Sequence, residues 1–306
     1  MEYIAQLFYS EEARRNDMSK VKKVIRKTFV IRDSGRSSDY ITPSFGYGCL
    51  FNCTYCYMKR HLSDGLTIAK NTGEILTAVN NHSYFYANAE KPNQTHDTYM
   101  TYDISCNEDF ALHAKYHAWE QIFEFFRTHP IAMATLATKA VPTRFLDYNP
   151  EGKVRIRFSL MPQSIADKLE PNTAKIIDRI KAIDTFIAAG YDVHINFSPV
   201  VIYEGWEQEY TELFRTVNEN VSEANKATVF SEVIFLTHNE NKHYYNVENN
   251  LSGEELLWTP ENQEEKTSQY GGKNLRYDYK KKREYINTFK EIHNSIIPWN
   301  KIRYIF

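Results

Sequence analysis

The chain's four cysteines are unevenly placed: Cys49, Cys53 and Cys56 fall within eight residues, and Cys106 stands fifty residues beyond the last of them. Disulfides are rare in a large chain without a secretory signal, so thiols at this spacing point to metal or redox chemistry. Structural zinc takes four protein ligands in a closed tetrahedron, and the one spare thiol, Cys106, lies far from the other three in sequence. A loop that offers three thiolates suits a 4Fe–4S cluster with one iron left open. An open iron is able to chelate the amino and carboxylate groups of S-adenosylmethionine.

Such a loop needs a rigid frame. Ile41 to Phe45 reads as a short strand running into the Gly46, Gly48 turn, and Thr98 to Ser105 as a second strand. Leu112, Tyr116, Trp119, Phe123 and Phe126 recur at helical spacing up to Pro130. Ile131 to Ala137 is a third strand. In Val154 to Leu160 apolar residues alternate with Arg155, Arg157 and Ser159, giving a strand with one dry and one polar face. A helix marked by Ile176, Ile180, Ile183 and Ile187 stops at Gly190; a fifth strand (Val193 to Ile202), a helix (Trp206 to Asn220) and a sixth strand (Thr228 to Leu236) follow. Strict strand–helix alternation predicts parallel strands with right-handed crossovers. With a polar inner face, the expected fold is an α/β open, partial (β/α)6 TIM-type barrel whose chemistry lies at the C-terminal strand ends.

We expect residues 1–40 to form an N-terminal extension, 41–238 the barrel, and 239–306 a C-terminal extension packed with it as one unit. Asn239 to Lys266, rich in Asn and Glu, is expected to loop over the surface. Gly271 and Gly272, flanked by Tyr270, Tyr277 and Tyr279, suggest a hairpin. Tyr285, Phe289, Ile292 and Ile296 line a last helix, before a strand from Ile302 to Phe306.

The 306 residues carry a formal charge of −2 and are 42% hydrophobic, ample for a full core. No global positive field draws nucleic acid, so any such binding rests on a local basic patch. No run approaches the ~18 apolar residues of a membrane span, and the charged N-terminus lacks a signal peptide's apolar centre; a cytoplasmic protein is expected.

Cys-x-x-x-Cys-x-x-Cys after a first strand, with Tyr55 before the last cysteine, resembles the motif of the radical S-adenosylmethionine superfamily. From about Ile41 to Phe306 the chain more narrowly resembles the spore photoproduct lyases. The segment ending Cys53-Thr54-Tyr55-Cys56-Tyr57 has that family's form, and Ser105-Cys106-Asn107-Glu108-Asp109 resembles its hydrogen-donor segment. Thr138-Lys139, Arg157-Phe158-Ser159, Glu170-Pro171-Asn172-Thr173, Ala189-Gly190-Tyr191, Ser198-Pro199, Glu204-Gly205-Trp206-Glu207 and Gln269-Tyr270-Gly271-Gly272-Lys273 follow in the same order.

The resemblance implies a 4Fe–4S cluster on Cys49, Cys53 and Cys56, with S-adenosylmethionine cleaved to a 5′-deoxyadenosyl radical. It implies Cys106 as hydrogen donor, with Tyr57 relaying a hydrogen atom or electron. Tyr55, Asn107, Lys139, Ser159 and Ser198 would contact the cofactor. Tyr270, Lys273 and Arg276 would meet a DNA thymine lesion, and flavodoxin or ferredoxin would supply electrons. The chain departs from the family at Asn107, where it has serine, and at Gln269, where it has arginine; these leave the substrate open.

Lys273, Arg276, Lys280, Lys281, Lys282 and Arg283 among tyrosines suit a nucleic-acid surface, although such a run is also the solvated face of a helix. The stretch Lys20, Lys22, Lys23, Arg26 and Lys27 reads as a solvated face. His113 and His117, one turn apart, lack the intervening Glu of a metalloprotease motif and read as core or surface histidines. Cys106 also suits a small buried packing residue. Two other readings stand: the same radical chemistry on a peptide, nucleoside or small metabolite, and a zinc-stabilised nucleic-acid-binding module without catalysis.

Overall fold

The computed structural model describes residues 21–34, 36–58, 65–267 and 273–306. Strand β1 (Val21–Val24) leads to β2 (Arg32–Asp33) and β3 (Tyr40–Ile41), and β4 (Gly46–Tyr47) opens the cysteine loop. Beyond that loop come β5 (Leu66–Ala69), β6 (Met100–Asp103), β7 (Ala132–Thr138), β8 (Val154–Ser159), β9 (Asp192–Val200) and β10 (Ser231–Phe235). The C-terminal part adds β11 (Thr237–His238), β12 (Gln263–Thr267), β13 (Lys273–Tyr277) and β14 (Ile302–Ile305).

Six strands, β3, β6, β7, β8, β9 and β10, lie side by side in chain order and all parallel, as the alternation predicts. β14 continues the sheet in parallel beyond β10, and β2 flanks β3 in antiparallel. Periodicity identifies β14 but not its neighbour, because pairing across a long crossover leaves no local trace. The edges of the sheet approach each other. Arg303 of β14 donates Nη2–H to the Ser37 carbonyl at 3.1 Å, and the Arg36 guanidinium lies 3.4 Å over the Phe306 ring. The sheet is therefore curled into a partial barrel.

Its outer face carries Tyr102, Ile156, Phe158, Ile195, Phe197 and Val233, all buried against crossover helices such as Ile176–Ala188 and Trp206–Asn220. The inner face is polar and equally dry. Arg157 is 3% exposed and bridges β6 to β10, reaching Asp103 at 2.9 Å and Glu232 at 3.2 Å. A buried charge needs such partners, and Glu232 is also met by Arg303 and by the Tyr304 hydroxyl at 2.6 Å. Arg155 pairs with Asp192 at 2.6 Å. These pairs hold the strands at a set spacing below the C-terminal rim.

Two expectations are corrected. The periodic stretch from Leu112 to Phe126 is not one helix. It comprises Phe110–His113, a 3-10 turn at Ala114–Tyr116, and Trp119–Thr128, with His117 extended between them. The break lets His113 and His117 both reach Glu108. Nor is 239–266 a surface loop: it holds helices Glu240–Glu248 and Glu254–Leu257 and the strand β12. Polar composition suggested solvent, yet Lys242, Asn246 and Glu254 are buried and bond inward. The hairpin is present as antiparallel β12 and β13; its tip, with Gln269, Tyr270, Gly271 and Gly272, lies outside the described residues. No helix among the described residues is long and apolar enough to cross a membrane.

Candidate cluster and radical site

The cysteine loop is shaped by backbone hydrogen bonds to three separate parts of the chain. Gly48 N–H donates to the Asn107 carbonyl at 3.1 Å, and Leu50 N–H to His113 Nε2 at 3.2 Å. His113 Nδ1 and His117 Nε2 each meet Glu108 Oε2 at 2.9 Å in a fully enclosed cluster. Burial opposes ionisation of Glu108, but the two imidazoles outweigh it and hold its carboxyl below the usual range. Gly46 must lack a side chain, since a Cβ there would fall 2.3 Å from the Glu108 carboxylate. The two histidines thus belong to the core and brace the loop rather than bind metal.

On the far side, Thr54 N–H donates to the Leu169 carbonyl at 2.8 Å and Thr54 Oγ1 to the Ser252 carbonyl at 2.9 Å. Asn246, fully buried, gives its Nδ2–H to the Thr54 carbonyl at 3.1 Å and also to Glu254. Glu254 in turn takes His238 Nε2 at 2.9 Å and His243 Nδ1 at 2.7 Å. The C-terminal extension therefore latches the segment between Cys53 and Cys56. Asn246→Leu should strand the Thr54 carbonyl and one oxygen of Glu254, costing about 2 kcal/mol. We expect a lower melting temperature and less iron retained after reconstitution, with Asn246→Gln partly restoring both; unchanged iron retention in Asn246→Leu would remove the latch.

Cys53 is buried and packs with Phe51 and Ala140, while Cys49, Cys56, Tyr55 and Leu112 close around them. Burial pushes the Cys53 thiol up to about 12, with Glu170 adding and Lys139 opposing, and the Cys49 thiol rises through burial and then Asp109. The three sulfurs feel one another's charge. Three thiolates on one tetrahedral zinc would lie about 3.8 Å apart. Among the described residues the group of ligand atoms within 4.8 Å of one another is His238, His243 and Glu254, and the three cysteines are not such a group. The His238 set is itself a hydrogen-bonded network: His238 Nδ1 has no partner, whereas a metal-bound imidazole normally donates its other N–H.

Lys139 follows β7, with its backbone N–H on Asp109 Oδ2 at 2.9 Å. Its ammonium lies 5.6 Å over the Tyr55 ring and 4.0 Å from Glu170 Oε1, which also takes the Tyr55 hydroxyl. Burial would lower this ammonium's pKa, but Glu170 and Cys53 outweigh it and raise it, so the charge is retained. Ser159 ends β8, with its carbonyl accepting Arg179 Nη1–H at 2.8 Å and its hydroxyl 3.5 Å from Asn196 Nδ2. Arg179, fully buried, also pairs with Glu170 Oε2 at 2.9 Å. Tyr55, Lys139 and Ser159 are thus joined through Glu170 and Arg179, whose roles the sequence reading missed. The Glu170-Pro171-Asn172-Thr173 run was the available signal. Ser198 stands on the same inner face of β9, two residues nearer the rim than Asn196.

Cys106 follows β6 and is partly exposed. The Tyr57 hydroxyl, one residue past Cys56, donates to the Cys106 carbonyl at 2.5 Å. Burial and then Asp103 push the Cys106 thiol up to about 11, while Arg32 and the Tyr57 hydroxyl oppose the rise. The thiol therefore keeps its proton at neutral pH. Asn107 Nδ2 donates to Ser44 Oγ at 2.5 Å. Of the expected substrate residues, Lys273 begins β13 with its exposed ammonium 3.0 Å from Glu265, Arg276 is half-buried in the same strand, and Tyr270 lies outside the described residues.

A family model described as spore photoproduct lyase matches residues 4–306. The chain is 28% identical over 208 residues to spore photoproduct lyase of Bacillus subtilis (strain 168), covering 67% of this chain and 58% of that one. It is 26% identical over 205 residues to the Geobacillus sp. (strain Y412MC61) protein of the same name, covering 66% and 57%. The match spans less than three fifths of these curated relatives. A solved spore photoproduct lyase variant with dinucleoside spore photoproduct superposes with a TM-score of 0.84 at 21% identity, covering 96% of this chain and 84% of that one. A second, with bound AdoMet and dinucleoside spore photoproduct, gives 0.83 at 20% identity, covering 94% and 82%. At this identity the structures establish the fold, a curled half-barrel. The match over nearly the whole chain settles the family: the chain belongs to the spore photoproduct lyases.

Proposed function

We propose that this protein is a radical S-adenosylmethionine lyase that restores thymines from a spore-photoproduct-like dimer in DNA. Cys49, Cys53 and Cys56 hold a 4Fe–4S cluster, and the two remaining cofactor contacts of greatest weight are Lys139 and Ser159. The cluster with bound S-adenosylmethionine supplies a 5′-deoxyadenosyl radical on one-electron reduction. That radical would take a hydrogen atom from the lesion; after carbon–carbon scission Cys106 returns a hydrogen atom to the substrate radical, and Tyr57 relays a hydrogen atom or electron between the resulting thiyl and the cofactor, which restores the S–H. Tyr270, Lys273 and Arg276 engage the lesion, flavodoxin or ferredoxin donates electrons, and the protein works in the cytoplasm.

The observation that carries this reading is the Tyr57–Cys106 contact. It ties the Cys106 backbone to the residue that follows Cys56, burial keeps the Cys106 thiol protonated, and a generic radical enzyme needs no such donor. The test is anaerobic reconstitution followed by mass spectrometry of products from irradiated thymidine-rich DNA. Repair to thymine is expected. Release of 5′-deoxyadenosine with every lesion intact would retire the DNA substrate and favour the second reading, a nucleoside, peptide or metabolite, to which Gln269 in place of arginine lends weight.

Lys139→Ala gives a narrower check. The ammonium lies 4.0 Å from Glu170, and a charge-assisted bond from it to the methionine carboxylate would be worth about 1.5–3 kcal/mol. We expect S-adenosylmethionine affinity to fall about tenfold or more at unchanged iron content, measured by equilibrium dialysis. Unaltered affinity would take Lys139 out of the site.

A further inference from the structure

We propose that Arg36, Arg276 and Lys282 form an anion site at the barrel's C-terminal rim that takes a phosphodiester of the nucleic-acid substrate. The ligand named here rests on the DNA reading above; the anion site itself does not.

Three segments remote in sequence converge there. Arg36 lies 3.4 Å over Phe306, at the end of the chain, and Phe306 accepts the Phe235 N–H at 2.8 Å. β10 passes directly into β11, where Thr237 stands opposite Arg276. Tyr277 is buried, with its hydroxyl accepting the Ile202 N–H at 2.9 Å. Strand alternation therefore turns Arg276 to the opposite face. Lys282 lies in the first turn of helix Tyr279–Ile296, which starts two residues after the hairpin strand that carries Arg276.

Carboxylates nearby are already engaged. Asp278 caps that helix, accepting the Lys280 N–H at 3.0 Å, and Glu264, opposite Arg276 on β12, pairs with Lys266 at 3.0 Å. Four cations, Arg36, Arg276, Lys266 and Lys282, thus lie around one carboxylate, Glu264, which Lys266 already holds. The electrostatics agree: burial, then Arg276, Arg36 and Lys266, push the Lys282 ammonium down to about 8, with Glu264 opposing, and burial then Arg276 lower Arg36. Crowded cations of this kind are relieved by an anion. Two guanidinium forks and a lysine suit a phosphate, which takes paired N–H donors from arginine and a point charge from lysine. In a chain with net charge −2, this is the local basic patch that nucleic-acid binding requires. The rest of the basic run is spent or solvated, since Lys281 bonds to the Glu261 carbonyl at 2.9 Å and Lys280 and Arg283 are exposed.

Two measurements on the full chain test it, with Arg276→Gln, Lys282→Gln, their double variant and Lys290→Gln, an exposed control on the same helix. The first is thermal stabilisation by pyrophosphate at fixed ionic strength. It should be present in wild type and the control, lost in the double variant, and restored by the charge-conserving pair Arg276→Lys and Lys282→Arg. The second is anisotropy with a labelled oligonucleotide across a salt series. The double variant should bind about tenfold more weakly, and its salt slope should fall by about one. Equal pyrophosphate stabilisation in wild type and the double variant overturns the site, as does an unchanged salt slope where wild type binds DNA. If pyrophosphate acts as expected but wild type binds no DNA, the anion site stands and the DNA reading fails.

Discussion

Replacing any one of Cys49, Cys53 or Cys56 with Ala should abolish both the visible absorbance of the cluster and the release of 5′-deoxyadenosine. On the proposed reading each thiolate would supply one of three protein ligands, and Cys106 belongs instead to the turn after β6, where its carbonyl holds Tyr57. The loop itself should survive, because its bonds through Leu50 and Thr54 run along the backbone. Loss of chromophore is therefore expected with little change in far-ultraviolet circular dichroism. Cys53→Ala should destabilise the apoprotein most, since Cys53 is the buried member and its sulfur packs on Phe51 and Ala140. Iron and sulfide content, the visible spectrum and cofactor cleavage form the measurement set. Full absorbance in any single variant would contradict the assignment. If the loop held zinc instead, the wild type would show no charge-transfer bands at all.

The barrel was legible because its strands and crossover helices carry different periods, two and roughly four, and the inner polar residues of β8 stand between apolar ones. The cysteine loop stood out by the spacing of Cys49, Cys53 and Cys56. What escaped was what braces it. Glu108 reads as one acidic residue in a donor segment, and only the fold shows that it gathers His113 and His117 and sends His113 to Leu50. Asn246 and Glu254 escaped for the opposite reason. Their neighbourhood is polar and suggests solvent, whereas it is buried because each polar group has a partner within the fold. Hydrogen-bond partners 192 residues apart are fixed by topology and leave no pattern in a short window of sequence.

The second large effect concerns Cys106. Cys106→Ala should still take up the cluster, bind S-adenosylmethionine and form 5′-deoxyadenosine, because the bond from Tyr57 goes to the backbone carbonyl and survives the change. The substrate radical would then lack its proper quencher. A thiol is a suitable hydrogen-atom donor only while protonated, and burial with Asp103 keeps this one so, at about 11. A group with a raised thiol pKa gives its hydrogen throughout the neutral range and loses that capacity as pH climbs through the folded value. Repair yield in the wild type should thus hold steady around neutrality and fall only in strongly alkaline solution. In the variant, the radical should be trapped by solvent or reductant, giving abnormal adducts and a low yield of thymine at any pH. A packing role predicts something else: loss of a sulfur's volume should cost about 1–2 kcal/mol of stability and leave the products normal. Mass spectrometry of products from irradiated DNA, run beside the melting curves, separates the two. A normal product distribution with cofactor cleavage retained would return Cys106 to the core and leave Tyr57 with no hydrogen to relay.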